Sequence, residues 1–199
     1  MQHYFIETEH MDSDFFEFND SIFNFNLTLK SCNNMFSKNK IDDGTRALLD
    51  AIGKKCELSG DGLDVGCGLG VISIALIKKF NVNMEMIDVV DTAVSLSKEN
   101  LIKNNVQHNA IAYKSNGFEN VKNSFDFVVT NPPIKTGKAL LFNLMEDAFK
   151  HLKTNGKLLL VIRKDHGMES LKKHLQTLFG NCEILDRNKG YYILKSTKN

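Results

Sequence analysis

Leu63-Asp64-Val65-Gly66-Cys67-Gly68-Leu69-Gly70 is the stretch whose reading decides the fold. Ahead of it, Asp61 to Gly66 reads as a short apolar strand; behind it, Gly70 to Phe80 reads as a helix. Glycines at such a junction let backbone approach a ligand closely, and the helix start supplies free amides. The spacing is Gly-x-Gly-x-Gly with Asp64 two residues ahead. It is not the Gly-x-Gly-x-x-Gly that seats a pyrophosphate in dinucleotide folds. An acid beside the loop suits a ligand bearing positive charge. The next strand, Asn83 to Val89, carries Asp88 where a carboxylate can accept from both hydroxyls of a ribose. A tight turn with a strand-end aspartate explains each piece alone. It does not explain strand, loop, helix, strand and acid in that order.

Working outward, strand and helix keep alternating. A helix is expected from Asp91 to about Lys103 with Asp91 as N-cap, then a weak third strand around Ile111–Tyr113. Ser124–Thr130 reads as a strong buried strand, Lys138–Leu152 as a helix, Gly156–Ile162 as a strand and Met168–Phe179 as a helix. Two short strands, Cys182–Leu185 and Tyr191–Leu194, close the chain around a turn at Arg187–Gly190. Crossover helices imply a parallel sheet covered on both faces. The last two strands lack a helix between them, so the final one should insert antiparallel. The expected fold is therefore α/β, a doubly wound, seven-stranded, mostly parallel sheet over residues 46–199. Residues 1–45 differ. Phe23 to Leu29 alternates with period two and is expected to pair with Phe15–Phe18 across Asn19-Asp20-Ser21, as a small β extension covering the sheet or its ligand.

Composition sets bounds. The 199 residues carry a net charge of +1, which argues against gripping nucleic acid by overall basicity. The charge is uneven: residues 134–199 hold thirteen bases against six acids, which permits a basic face as readily as an ordinary solvated one. Cys32, Cys56, Cys67 and Cys182 form no CxxC pair, so neither a metal site nor a disulfide framework is expected. The chain shows no signal-peptide pattern and no apolar run of membrane-spanning length. A cytoplasmic protein, monomer or weak dimer, is the expectation.

The chain's two prolines are adjacent, in Asn131-Pro132-Pro133-Ile134, at the C-terminal end of the strongest strand. Ligands in open α/β sheets bind outside those ends. Proline stiffens the loop and removes donors, leaving carbonyls that only accept. An amino nitrogen attached to a base is a poor nucleophile because its lone pair is delocalised. Acceptors from the Asn131 side chain and the Pro132 carbonyl would favour a more tetrahedral nitrogen, aimed at an electrophilic methyl, without a strong base. Among 21 asparagines Asn131 alone means nothing; its context does. Adenosylmethionine, which has an ammonium and a sulfonium but no pyrophosphate, is the cofactor that fits Asp64, Gly66, Cys67, Gly68, Gly70 and Asp88, with Asn131 beside it. Ser115-Asn116-Gly117-Phe118 follows the third strand, and Asn116 and Phe118 could read the adenine edge and face. His166 reads as a surface residue in a polar loop. Arg163, Lys164, Lys135 and Lys138 lie on the ligand side, where phosphate contacts are plausible.

With these motifs in place, the chain resembles class I S-adenosylmethionine-dependent methyltransferases of the small-domain family, similar to ribosomal RNA small subunit methyltransferase C. The likeness spans nearly the whole length. It includes His3-Tyr4-Phe5, Met35-Phe36-Ser37-Lys38, Ile41-Asp42-Asp43-Gly44-Thr45-Arg46, Lys135-Thr136-Gly137-Lys138 and Lys189-Gly190-Tyr191-Tyr192. The resemblance implies a substrate side built by Phe36, Ser37, Thr45, Ile134 and Lys135, with isoleucine after Asn-Pro-Pro going with guanine N2. It also implies a partner in ribosomal RNA or the small ribosomal subunit. Two departures touch the cofactor side: Asn116 stands where relatives have aspartate, and Val89-Val90-Asp91-Thr92 replaces the usual Val-Asn-x-Arg. An N6-adenine or protein-glutamine methyltransferase could use the same loop. A dinucleotide oxidoreductase is disfavoured by the glycine spacing, and a catalytically silent RNA-binding relative would be expected to have lost Asn131 or the glycines.

Overall fold

The computed structural model describes residues 15–33, 35, 39–132 and 137–199. His3-Tyr4-Phe5, Phe36, Ser37, Lys38, Pro133, Ile134, Lys135 and Thr136 lie outside the described residues.

In chain order the elements are a hairpin of β1 (Phe15–Ile22) and β2 (Phe25–Cys32), α1 (Asp43–Lys55), β3 (Asp61–Val65) and α2 (Val71–Phe80). There follow β4 (Asn83–Asp88), α3 (Asp91–Lys103), β5 (Ala110–Lys114), β6 (Phe125–Thr130), α4 (Lys138–His151) and β7 (Leu152–Arg163). The chain closes with α5 (Met168–Phe179), β8 (Glu183–Asn188) and β9 (Tyr191–Thr197). Among the described residues the main sheet has seven strands in the order β5-β4-β3-β6-β7-β9-β8. Its first five strands run parallel, and β9 inserts antiparallel to both β7 and β8, as the missing crossover helix requires. The order reverses between β3 and β6, so the crevice outside their C-terminal ends is the natural ligand site.

Two apolar cores flank the sheet. Leu48, Leu49 and Ile52 of α1 pack with Ile74 and Ile77 of α2 and Leu101 of α3 on one face. Met145 and Ala148 of α4 pack with Leu171 and Leu175 of α5 on the other. β6 and β7 are apolar on both sides, with Val129 and Leu159 in the first core and Val128 and Leu158 in the second, as burial on both faces demands. No helix among the described residues is long and apolar enough to cross a membrane.

The N-terminal hairpin forms a separate two-stranded sheet, but not with the expected turn. The chain reverses at Phe23-Asn24, both at positive φ (53° and 66°), with Ile22 opposite Phe25. A bulky residue at positive φ is unfavourable by itself. The Phe23 ring meets Phe80 edge-on and lies over Gly53, where a methyl group would sit 2.4 Å from it. Asp20, expected in the turn, is instead an anchor that accepts from the Ile41 amide at 2.9 Å and the Arg46 guanidinium at 2.8 Å.

The hairpin docks on α1, α2 and α3 rather than directly on the sheet. Asn100 of α3 and Asn104, which caps its C-terminal end, exchange hydrogen bonds with the backbone of Lys30 and Thr28 respectively, through both amide and carbonyl. The free edge of β2 is thus paired by two carboxamides rather than by a strand. A second correction concerns Asp91, which does not cap α3. Val90 holds the flanking position, and the Asp88 carboxylate accepts from its amide at 3.0 Å.

Candidate active site

β3 and β6 are neighbours in register, with Val65 opposite Thr130, so Gly66 and Asn131 leave the sheet side by side. The Thr130 hydroxyl donates to the Val65 carbonyl at 2.8 Å and ties the two exits together. This is where the glycine turn and the Asn-Pro loop meet.

On the glycine side, the Gly66 and Cys67 amides both donate to the Ile87 carbonyl, and the Gly68 amide donates to Asp88 Oδ2 at 2.9 Å. Asp88 therefore shapes the turn, each of its oxygens keeping a lone pair for a further donor. Gly66 and Gly68 sit at positive φ (73° and 53°), and a methyl group added at either would meet nothing within 4 Å. That open cradle is where a ligand can lie on bare backbone. Gly70 differs: a methyl there would press on Met86 and Ser97, so this glycine seats α2 against β4 and α3. The Cys67 thiol is buried among the core residues beneath the turn, its pKa raised by burial, and contributes backbone rather than side chain.

Asp64 is completely buried below the turn. One oxygen accepts from the Ser73 hydroxyl at 2.8 Å; the other, Oδ1, has no partner among the described residues. Burial pushes its pKa up to about 7, partly opposed by Ser73 and reinforced by the nearby Asp88 charge. A buried carboxyl with one unpartnered oxygen, beneath a bare glycine cradle and beside Asp88, fits a ligand that carries an ammonium and a ribose. S-adenosylmethionine has both.

The turn after β5 is more self-contained than expected. Asn116 is exposed and donates to Glu119, while the Ser115 hydroxyl donates to the Gly117 carbonyl. Phe118 is buried in the core, its ring 4.9 Å from that of His151.

On the Asn131 side, both hydrogens of its side-chain amide are engaged, one by Asp42 Oδ1 at 3.1 Å and one by Thr45 Oγ1 at 3.0 Å. Oδ1 of Asn131 is left to accept. Beside it lies a cavity of about 120 Å³ lined by Asn131, Pro132, Phe142, Arg163, His166 and Tyr191 among others. The Arg163 guanidinium lies over the Tyr191 ring at 5.7 Å and forks onto Asp165, which takes up part of the charge expected to meet phosphate. Lys138 lies over the Phe142 ring at 5.2 Å. His166 is exposed yet contributes to the cavity rim.

Of the candidate residues, the structure brings Asp64, Gly66, Gly68 and Asp88 into one cradle, with Asn131, Pro132 and Thr45 adjoining it. Sequence reading missed Asp42 as a partner of Asn131. The signal was present: an aspartate immediately before Asp43-Gly44-Thr45 at the start of an apolar-periodic segment is a helix cap, and caps lie at the sheet's ligand end.

Comparison with known proteins agrees with this geometry. The methyltransferase small domain family matches residues 26–195. An uncharacterized Bacillus subtilis protein, YbxB, is 36% identical over 99% of this chain and 98% of its own length. Ribosomal RNA small subunit methyltransferase C of Buchnera aphidicola is 34% identical over 86% of this chain, which spans 50% of that relative. A solved T. thermophilus 16S rRNA N2 G1207 methyltransferase, in complex with AdoMet and guanosine, shares the fold with a TM-score of 0.85 at 23% identity. It covers 98% of this chain, which covers 53% of it. The chain thus spans about half the length of the ribosomal RNA methyltransferases it matches. With the family matched over residues 26–195, the chain belongs to the methyltransferase small domain family.

Proposed function

We propose that this protein transfers a methyl group from S-adenosylmethionine to an exocyclic amino group, guanine N2 of small-subunit ribosomal RNA in the cytoplasm. The observation that carries the reaction class is the Asn131 carboxamide. With both N–H groups committed to Asp42 and Thr45, its oxygen is the atom offered to an incoming amino group. The relatives named ribosomal RNA small subunit methyltransferase C support the choice of substrate.

The bound cofactor supplies a methyl on a positively charged sulfur. Asp64, Gly66, Gly68 and Asp88 would hold it by its ammonium, by close backbone approach and by its ribose. Asn131 Oδ1 and the Pro132 carbonyl accept the two amino hydrogens, which turns the nitrogen lone pair out of conjugation and toward the methyl. The cofactor would supply the methyl to that nitrogen and keep the S–C bonding pair, so that the bond gained balances the bond lost. The nitrogen then gives up one proton to water. Positioning and acceptor electrostatics carry the step. A base splayed out of folded RNA would enter the adjoining cavity, between the Phe142 and Tyr191 sides.

The test supplies radiolabelled S-adenosylmethionine with unmodified bacterial small-subunit RNA, with small subunits reconstituted on it, and with protein substrates. N2-methylguanosine in the RNA digest is the expected product. Label in N6-methyladenosine or in protein glutamine, with guanine unlabelled, would overturn the substrate. Asn131→Ala is expected to abolish transfer and keep cofactor binding within about threefold; loss of binding would mean the side chain serves the cofactor instead.

A further inference from the structure

We propose that Asp42 is a positioning residue for this reaction: it locks the Asn131 carboxamide in the orientation that presents oxygen, not nitrogen, to the acceptor. The inference rests on the role proposed above for Asn131. Asp42 is the N-cap of α1, and its Oδ1 accepts from the Gly44 amide at 2.9 Å and the Thr45 amide at 3.1 Å. The third donor to the same oxygen is Asn131 Nδ2 at 3.1 Å. An ionised carboxylate only accepts. Were the carboxamide flipped, its oxygen would face the Asp42 carboxylate with no hydrogen between them, and the orientation is decided by that repulsion. Thr45 Oγ1 takes the second hydrogen at 3.0 Å, so the group is held at two points.

Gly44 makes the close approach possible. A methyl group on it would lie 3.1 Å from Asp42 Oδ1, 3.1 Å from Tyr191 Cε1 and 3.4 Å from Asn131 Nδ2. The cap, the acceptor loop and the cavity wall thus converge on one bare α-carbon. The anchor itself is firm, because α1 is a thirteen-residue helix whose Leu48, Leu49 and Ile52 are fully buried. A residue at the mouth of a loop is thereby indexed to the core, and small displacements at such a point are costly to rate.

Asp42→Ser and Asp42→Asn separate positioning from helix capping, since both keep a good cap. Serine is too short to reach Asn131, whereas asparagine can reproduce all three bonds with its own oxygen. On unmodified small-subunit RNA, Asp42→Ser is expected to lower kcat by about 10- to 100-fold with the S-adenosylmethionine Kd unchanged, and Asp42→Asn to stay within about threefold of wild type. Equal turnover by Asp42→Ser and wild type, or equal loss in both variants, would overturn the assignment. An acceptor-independent readout runs in parallel. The Asn131 side-chain NH2 signals, identified by their loss in Asn131→Ala, should be protected from hydrogen exchange in wild type and Asp42→Asn but not in Asp42→Ser. If the RNA takes no methyl, the substrate reading fails, while unchanged protection in Asp42→Ser would separately sink the tether.

Discussion

Replacing Asp64 with asparagine tests the cofactor cradle through stability alone. In the folded protein without ligand, burial raises this carboxyl from the ordinary aspartate value of 3.8 to about 7. A raised carboxyl binds its proton more tightly folded than unfolded. Its contribution to stability is therefore fully present below about pH 4 and is lost as pH climbs to 7. From 3.8 to about 7, at about 1.4 kcal/mol per pH unit, the loss comes to about 4 kcal/mol by pH 8. About a quarter of that loss is already complete at pH 4.5, because the unfolded chain has begun to ionise there. The substituted amide of Asp64→Asn would not titrate. It would leave one buried polar group without its own partner, a constant cost of about 1–3 kcal/mol that does not vary with pH. The difference in unfolding free energy between variant and wild type should then move by about 3 kcal/mol in the variant's favour between pH 4.5 and pH 8. Urea unfolding at four or five pH values measures it. Saturating S-adenosylmethionine should reverse the trend for wild type, because an ammonium beside Asp64 favours the ionised form, and should leave Asp64→Asn nearly untouched. A difference that stays constant across this pH range would refute the argument that the carboxyl is held uncharged below the turn.

Three further outcomes follow from the geometry. Gly68→Ala places a side chain at φ 53° and fills the open cradle, so S-adenosylmethionine affinity by calorimetry should fall at least about tenfold while stability drops by roughly 1–2 kcal/mol; unchanged affinity would remove the cradle from the cofactor site. Asn100→Ala frees the Lys30 amide and carbonyl and the Leu69 carbonyl together, and should lower the melting temperature by about 5 °C or more at a cost near 2 kcal/mol. Gly44→Ala favours a helix yet crowds Asp42, Tyr191 and Asn131, so methyl transfer should fall about tenfold while thermal stability changes by less than about 1 kcal/mol; equal loss of both would point to misfolding rather than a disturbed site.

The doubly wound sheet was legible because its evidence is redundant. The Gly66–Gly70 turn, Asp88 at a strand end and the apolar run Phe125–Thr130 point to one topology when taken in order, and the absent helix before Tyr191 fixes the antiparallel strand. What sequence could not convey was where side chains turn after the backbone places them. Asn19-Asp20-Ser21 has turn chemistry, but Asp20 serves Ile41 and Arg46 from across the fold, and Phe23 takes the unfavourable backbone because Phe80 and Gly53 receive its ring. Gly70 and Gly66 look alike in the motif, yet one faces Met86 and the other open space. Phe118 lies in the turn expected to meet an adenine, and its ring is buried and tilted against His151. Asp42 joins Asn131 across 89 positions; the local pattern marks the helix cap but does not name its partner.

The carboxamide of Asn100 carries a consequence of its own. Its Nδ2 donates to the Lys30 carbonyl in the hairpin and to the Leu69 carbonyl in the glycine turn, at 3.1 and 3.0 Å. Two segments far apart in the chain thereby share one donor group, and whatever orders one biases the other. By thermodynamic reciprocity, a cofactor that orders the turn and thereby disfavours the opened hairpin would be bound more weakly, by the same factor, when the hairpin is open. Hydrogen exchange at the Lys30 and Thr28 amides, neither in a proposed site residue, would then read whether the cradle is filled.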